Sequence, residues 1–175
     1  MVVRAPSSLG ALPIGQTQTG EILLPVADDE AFWIGMTRCS RSIEVSVALR
    51  VDLDGHRGVD AFTGETWNAR EPFAVLVPPV REIDGIRRTG ESLWVFARAP
   101  AAVSAPKCQA LGFVALSGCR APNDISDFLS QRAPRQIGAT ATVRLVDYVE
   151  FQDRAHLAPP SPLDPDIGYK GWRLP

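Results

Sequence analysis

Residues 43 to 53 read Ile-Glu-Val-Ser-Val-Ala-Leu-Arg-Val-Asp-Leu, with an apolar residue at every odd position and a polar or small one at every even position. A period of two predicts a β-strand with one face in a core and one in water. Similar segments recur up to about Ala99. Glu21 to Val26, Ala31 to Met36, Val59 to Phe62, Phe73 to Val77 and Leu93 to Arg98 are each expected to be short strands. The acidic Asp28-Asp-Glu30 makes a turn before the second of these, and Pro78-Pro79 stops the fourth. Asp54-Gly55, Thr63-Gly64-Glu65 and Thr89-Gly90-Glu91 supply turns between them, and Ile83-Asp-Gly-Ile86 a turn or bulge.

Beyond a low-complexity connection at residues 99 to 106, Leu111 to Leu116 predicts another strand. Ile125 to Arg132 predicts a short helix, capped by Asn123 or Asp124 and ended by Pro134. Residues 139 to 151 alternate again. Ala139, Ala141, Val143 and Leu145 share one face, and Thr140, Thr142 and Arg144 the other. Asp147 interrupts the inner face, as a β-bulge would. The pattern implies an α+β, predominantly antiparallel β protein, a sandwich or partly open barrel with one or two short helices. Its expected organisation is an extended segment over residues 1–20, a single β-rich domain over 21–157, and a Pro-rich arm over 158–175 in which Trp172 is the natural anchor.

Length and composition fit one globular domain: 175 residues, of which 45% are hydrophobic. The formal charge is −2, from 18 basic and 20 acidic residues. No Lys/Arg cluster interleaved with aromatics appears, so no nucleic-acid partner is expected. Three cysteines at irregular spacing, Cys39, Cys108 and Cys119, read as buried free thiols rather than a disulfide framework. No signal-peptide core and no membrane-spanning apolar run is present, which predicts a cytoplasmic protein without a membrane partner.

Candidate chemistry is sparse. Asp52-x-Asp54-Gly55-His56 begins like a calcium loop but lacks its later ligands, and it reads as a polar hairpin end; no metal is assigned. No GxGxxG, Walker or CxxC motif occurs, and no cofactor is implied. No local nucleophile pattern involves His56 or His156. Asp60-Ala-Phe-Thr-Gly-Glu65 offers a hydroxyl, a bare glycine amide and carboxylates to a small ligand, or else forms a tight turn with Gly64 at positive φ. Asp84 is a general base if buried, or an Asx bend if not. Trp67 is placed near a pocket rim. The candidate ligand-binding set is therefore Asp60, Thr63, Glu65, Trp67 and Asp84.

Glu30-Ala-Phe-Trp-Ile34, Asp60-Ala-Phe-Thr-Gly-Glu-Thr-Trp67, Val77-Pro-Pro79, Ile83-Asp-Gly-Ile86 and Trp94-Val-Phe-Ala97 follow one another along residues 21 to 99. In that order they resemble a family of uncharacterised bacterial proteins. There a Glu-Ala-x-Trp strand precedes an Asn-Ala-x-Thr-Gly-Glu turn, a Trp-Leu-Asp-Gly segment and a Gln-Phe-Val-Ala strand. Asp60 stands where that family carries Asn. The chain also resembles the compact single-domain proteins of integron mobile cassettes. The resemblance implies an organisation and no activity.

Three functions follow as expectations. The first is a non-enzymatic protein that binds a small molecule or a protein partner and forms a homo-oligomer through the C-terminal arm and Trp172. The second is a small enzyme, of hydrolase or isomerase type, with a carboxylate-centred site drawn from Asp52, Asp54, His56, Glu65 and Asp84. The third is a purely structural partner protein whose exposed apolar patch is the function, with a flat hydrophobic face and no enclosed pocket.

Overall fold

The structure is a computed structural model and describes residues 12–28, 30–36, 45–55, 58–77, 80, 82–88, 93–98, 107–117 and 136–160. The expected helix at 125–132, Trp172 with residues 161–175, His56, Cys39 and Cys119 lie outside them.

The alternating segment forms the strand Val45–Leu53, which lies one strand in from the edge of the main sheet. In chain order the strands are β1 (Gly15–Gln16), β2 (Ile22–Pro25), β3 (Ala31–Phe32), β4 (Ile34–Gly35), β5 (Val45–Leu53) and β6 (Val59–Asp60). They continue with β7 (Val75–Val77), β8 (Glu82–Ile83), β9 (Gly85–Arg87), β10 (Leu93–Ala97), β11 (Cys108–Ser117) and β12 (Gln136–Val146), before helix α1 (Tyr148–Ala155). A seven-stranded sheet runs β1-β2-β12-β11-β5-β6, with β7 also on β5; β3-β10-β9 and β4-β8 form two small sheets. All pairings are antiparallel except β2 with β12. The β-rich, largely antiparallel architecture expected from the alternation is the one observed, with one short helix and no closed barrel among the described residues.

The odd residues of β5 from Leu49 to Leu53 point into a core, whereas Val45 and Val47 are only half-buried. Leu49, Val51 and Leu53, joined by Leu111 of β11 and Leu145 of β12, pack against Phe32, Ile83, Ile86 and Phe96 of the small sheets. The rings of Phe32 and Phe96 stack with centroids 5.4 Å apart. We call this the inner face. The large sheet and the two small sheets thus form two layers around one apolar core.

The outer face departs from the simple half-buried picture. Ser46 and Ala48 are buried although they alternate with the core residues. The cause is a second, smaller cluster in which Ala48, Leu116 and Ala74 are covered by Trp67 and Val114. At the other end of the same face α1 docks Phe151, fully buried, on Leu23 and Val146. Burying a Phe side chain of this kind contributes about 1.5–3 kcal/mol.

Two local expectations are corrected. Asp147 is not a bulge: it is the N-cap of α1, and its carboxylate accepts from the Glu150 amide at 2.7 Å. The alternation therefore ends at Val146, and residues 148 to 151 belong to the helix. The bulge of β12 lies instead at Gly138, where the register with β11 steps from Ala115–Ala139 to Leu116–Ile137. The segment after the acidic turn is two short strands broken at Trp33. Ile83-Asp-Gly-Ile86, expected as a turn or bulge, is the one-residue break at Asp84 between β8 and β9. No helix among the described residues is long and apolar enough to cross a membrane.

Candidate functional site

The Asp60–Glu65 segment is a closed turn at the joint between the two layers. Ala61 donates its amide to Leu49 of β5 and accepts at its carbonyl from the amide of Arg87 on β9, both at 2.9 Å. One residue thus links the large sheet to the second layer. The turn is shut by Asp60 N–H to Glu65 C=O and Gly64 N–H to Asp60 C=O, each 2.8 Å. Gly64 has φ of +72°, and a Cβ there would stand 2.0 Å from the Arg87 carbonyl oxygen. Only glycine fits both the conformation and the space.

Asp60 is 4% exposed and organises this turn. Its Oδ1 accepts from the amides of Phe62 at 2.9 Å and Thr63 at 3.1 Å. Burial pushes the Asp60 carboxyl above its ordinary range, against the opposing pull of the Thr63, Phe62 and Phe73 amides and the Thr63 hydroxyl. The Glu65 amide donates to the Thr63 hydroxyl at 3.3 Å. Every amide from Phe62 to Glu65 is therefore engaged within the turn. The glycine amide that the sequence offers to a ligand is spent on the Asp60 carbonyl.

The structure brings Asp60, Thr63 and Glu65 together and separates them from the other two candidates. Trp67 donates its amide to the Gly58 carbonyl, and its ring lies on the outer face over Ala48, Ala74 and Leu116. Asp84 lies between β8 and β9, in the second layer. One Asp84 carboxylate oxygen, Oδ1, is buried without a hydrogen-bond partner. Burial, and next the charge of Glu82, raise the Asp84 carboxyl above its usual range.

The carboxylates of the alternative enzyme reading also lie apart. Asp52 is on the outer face of β5, where it receives a bidentate pair from Arg50 at 2.7 Å on each oxygen. Asp84 belongs to the layer that covers the inner face, so the large sheet stands between the two. Asp54 accepts from the Gln109 side chain at 3.0 Å, at the end of β5. Among the described residues no three of His, Cys, Asp and Glu converge as metal ligands would. Cys108 is a free, buried thiol, pushed up by burial against a hydrogen bond with Ala97.

A second surface was not singled out by its chemistry. Residues 137 to 142 of β12 are exposed at every position, hence on both faces of the strand. β11 pairs along one side of this stretch, whereas β2 on the other side pairs only residues 143 to 146. Among the described strands the far edge of residues 136–142 has no partner. On the inner face, register places Val47, Ala115 and Ala139 in one row and Leu49, Phe113 and Ala141 in the next. Val47, Phe113 and Ala115 are only half-buried, and Ala139 and Ala141 are exposed. Among the described residues, then, an apolar sheet face runs half-buried to exposed up to an unpaired strand edge. The sequence signal for it is Gln136-Ile-Gly-Ala-Thr-Ala-Thr142, seven residues with no charge and no proline. Edge strands are ordinarily blunted by Lys, Pro or an inward charge; among the described residues of this stretch the one such device is the bulge at Gly138.

Comparison with protein-family models, curated proteins and solved structures finds no match to this chain.

Proposed function

We propose that the chain is a non-enzymatic protein-binding protein that accepts an extended segment of its partner along the free edge of β12. The observation that carries this reading is the uncharged stretch 136–142, exposed on both faces and paired on one side only among the described strands. An unpaired row of backbone N–H and C=O groups binds another strand by main-chain hydrogen bonds, and the half-buried apolar face beside it gives alternate side chains somewhere to pack. The small-molecule and carboxylate-enzyme readings have less support. The amides of the Thr-Gly-Glu turn are engaged internally, and the large sheet stands between Asp84 and Asp52.

The test is selection of displayed extended peptides against the full chain, with Thr140→Pro as the counter-screen. The N–H and C=O of Val146 face β2, since its carbonyl accepts from the Val26 amide at 2.9 Å. A period of two turns the same groups of Thr140 toward the free edge. Proline at that position removes an outward donor and leaves the β11 ladder intact, as edge strands tolerate. Peptides that bind the parent and not Thr140→Pro support the reading. No enriched peptide, or binders indifferent to the substitution, would overturn it.

A further inference from the structure

The edge of β12 carries a sequence that is complementary to itself, and we infer that its partner is a second copy of this chain, paired antiparallel about a two-fold axis at Thr140. This inference rests on the strand-addition reading above and names the strand that is added.

The first argument is geometric. The outward-facing backbone groups of β12 belong to the even residues on this side of the bulge, by the alternation from Val146. An axis at Thr140 makes each Thr140 exchange N–H···O=C bonds with its own copy, the hydrogen-bonded pair of an antiparallel ladder. Ala139 then stands opposite Ala141 of the second copy. Both are on the inner face, so apolar meets apolar there, while on the outer face Thr140 meets its own copy and Thr142 stands opposite Gly138. An axis between two residues would set each alanine against a threonine instead.

The second argument is electrostatic. Residues 136–142 hold no charge, so self-pairing opposes no like charges, and the formal charge of −2 gives little repulsion between copies. The third is continuity. The uncovered inner-face row Val47–Ala115–Ala139 runs up to the axis, so the row of one copy continues into that of the other and the apolar face grows across the interface. A foreign partner would need to supply a strand of small, uncharged, alternating residues; the chain supplies one itself.

Size limits the affinity. An axis at Thr140 sets residues 136 and 137 against 144 and 143 of the copy, whose edge β2 already holds. Only about five residues a side (138–142) therefore pair, well short of the roughly 20–30 a side of a standard interface, which places the dissociation constant in the micromolar range or weaker. Sedimentation velocity of the full chain from low micromolar to near-millimolar concentration is the test. Wild type is expected to move toward a dimer as concentration rises. Thr140→Pro removes a pair of exchanged hydrogen bonds, and Thr140→Lys sets two ammonium groups against each other at the axis. Each should weaken association by roughly tenfold or more while circular dichroism keeps the β signature. Hydrogen exchange of wild type is the check that needs no variant: the Thr140 amide should slow as concentration rises.

A chain that stays monomeric at the highest concentration, a dimer indifferent to both substitutions, or a Thr140 amide whose exchange ignores concentration would overturn the inference. A monomer that still selects Thr140-dependent peptides would overturn the second copy alone and leave strand addition standing. A monomer that selects none would remove both.

Discussion

Asp60 is the residue at which a structural and a ligand-binding role predict opposite results. As a cap, its carboxylate satisfies the amides of Phe62, Thr63 and Phe73 in a nearly closed site. Asp60→Ala would leave three donors without that acceptor. At the lower end of the cost of an unsatisfied buried donor, ~1 kcal/mol each because the turn borders water, the loss is about 3 kcal/mol. For a chain of this length that lowers Tm by ~6–12 °C. Asp60→Asn keeps an acceptor oxygen for Phe62 and Thr63 and turns its NH2 toward the remaining donor, so its cost should be nearer ~1 kcal/mol.

The pH dependence follows from burial. The folded-state pKa of Asp60 is raised, so the group's contribution to stability is complete below the ordinary carboxylate value and declines as pH rises through the raised one. The deficit of Asp60→Ala against wild type should therefore be greatest in acid and shrink to a plateau toward neutral pH. Asp60→Asn should lack that titration altogether. Differential scanning calorimetry of the three proteins between about pH 3 and 8 measures all of this. An Asp60→Ala Tm within ~2 °C of wild type, or above it, would refute the capping argument. It would mean that the carboxylate is held at a cost to the fold, as ligand-binding groups are.

Gly64→Ala combines a positive φ with a Cβ 2.0 Å from the Arg87 oxygen, and should lower the urea midpoint by the equivalent of ~3 kcal/mol or more. Gly55→Ala, at a similar φ of +68° with nothing within 4 Å, should cost only ~1–2 kcal/mol; equal effects would show that contact with β9 is unimportant. Tyr148 donates to Glu30 at 3.1 Å, and its phenol is pushed up to about 12 by burial and then by the Glu30 charge and hydrogen bond. Ultraviolet titration should show a tyrosine ionising near that value, absent in Tyr148→Phe and shifted down in Glu30→Gln. Because the folded value is raised, this stabilisation is complete below about pH 10 and lost as pH climbs through about 12. Asp147→Ala should cost ~1 kcal/mol by loss of the α1 cap, against ~3–5 kcal/mol for Phe151→Ala, both read from denaturant unfolding.

The fold was legible where alternation and burial coincide. Residues 49 to 53 of β5 alternate in sequence, and Leu49, Val51 and Leu53 occupy the core. Legibility fails where a local signal is overrun by its neighbour. Asp147-Tyr-Val-Glu150 carries the spacing of a helix N-terminus, a capping residue followed three positions later by Glu. It directly continues an alternating strand, and α1 buries only Phe151 among its apolar residues while Val149 is 72% exposed. With one anchor in two turns there is no 3.6-residue stripe to read, so the alternation carries the eye past the cap. The candidate site was partly legible for the same kind of reason. The Thr-Gly-Glu turn and the positive φ of Gly64 follow from local chemistry, but the contact with Arg87 depends on which layer lies above.

Alternation states which residues share a face and is silent on what covers that face. Ala139, Ala141 and Leu145 share the inner face of β12, as their spacing requires, yet Leu145 is buried and the two alanines are exposed. The second layer is built from strands of two to five residues, too short to span the large sheet, whose longest strand has eleven. The outer end of β11 and β12 is left beyond its reach. Evolution keeps such an end soluble by charging it; in this chain charge is withheld from residues 136 to 142 and resumes at Arg144, next to the β2 pairing, where Arg144 meets Glu21 at 3.5 Å. The change from uncharged to charged falls where the strand edge changes from free to paired. A strand that had only to stay in solution would show the reverse order, with its charges on the unpaired stretch. That inversion is the physical ground for reading the free edge of β12 as a surface meant to be covered.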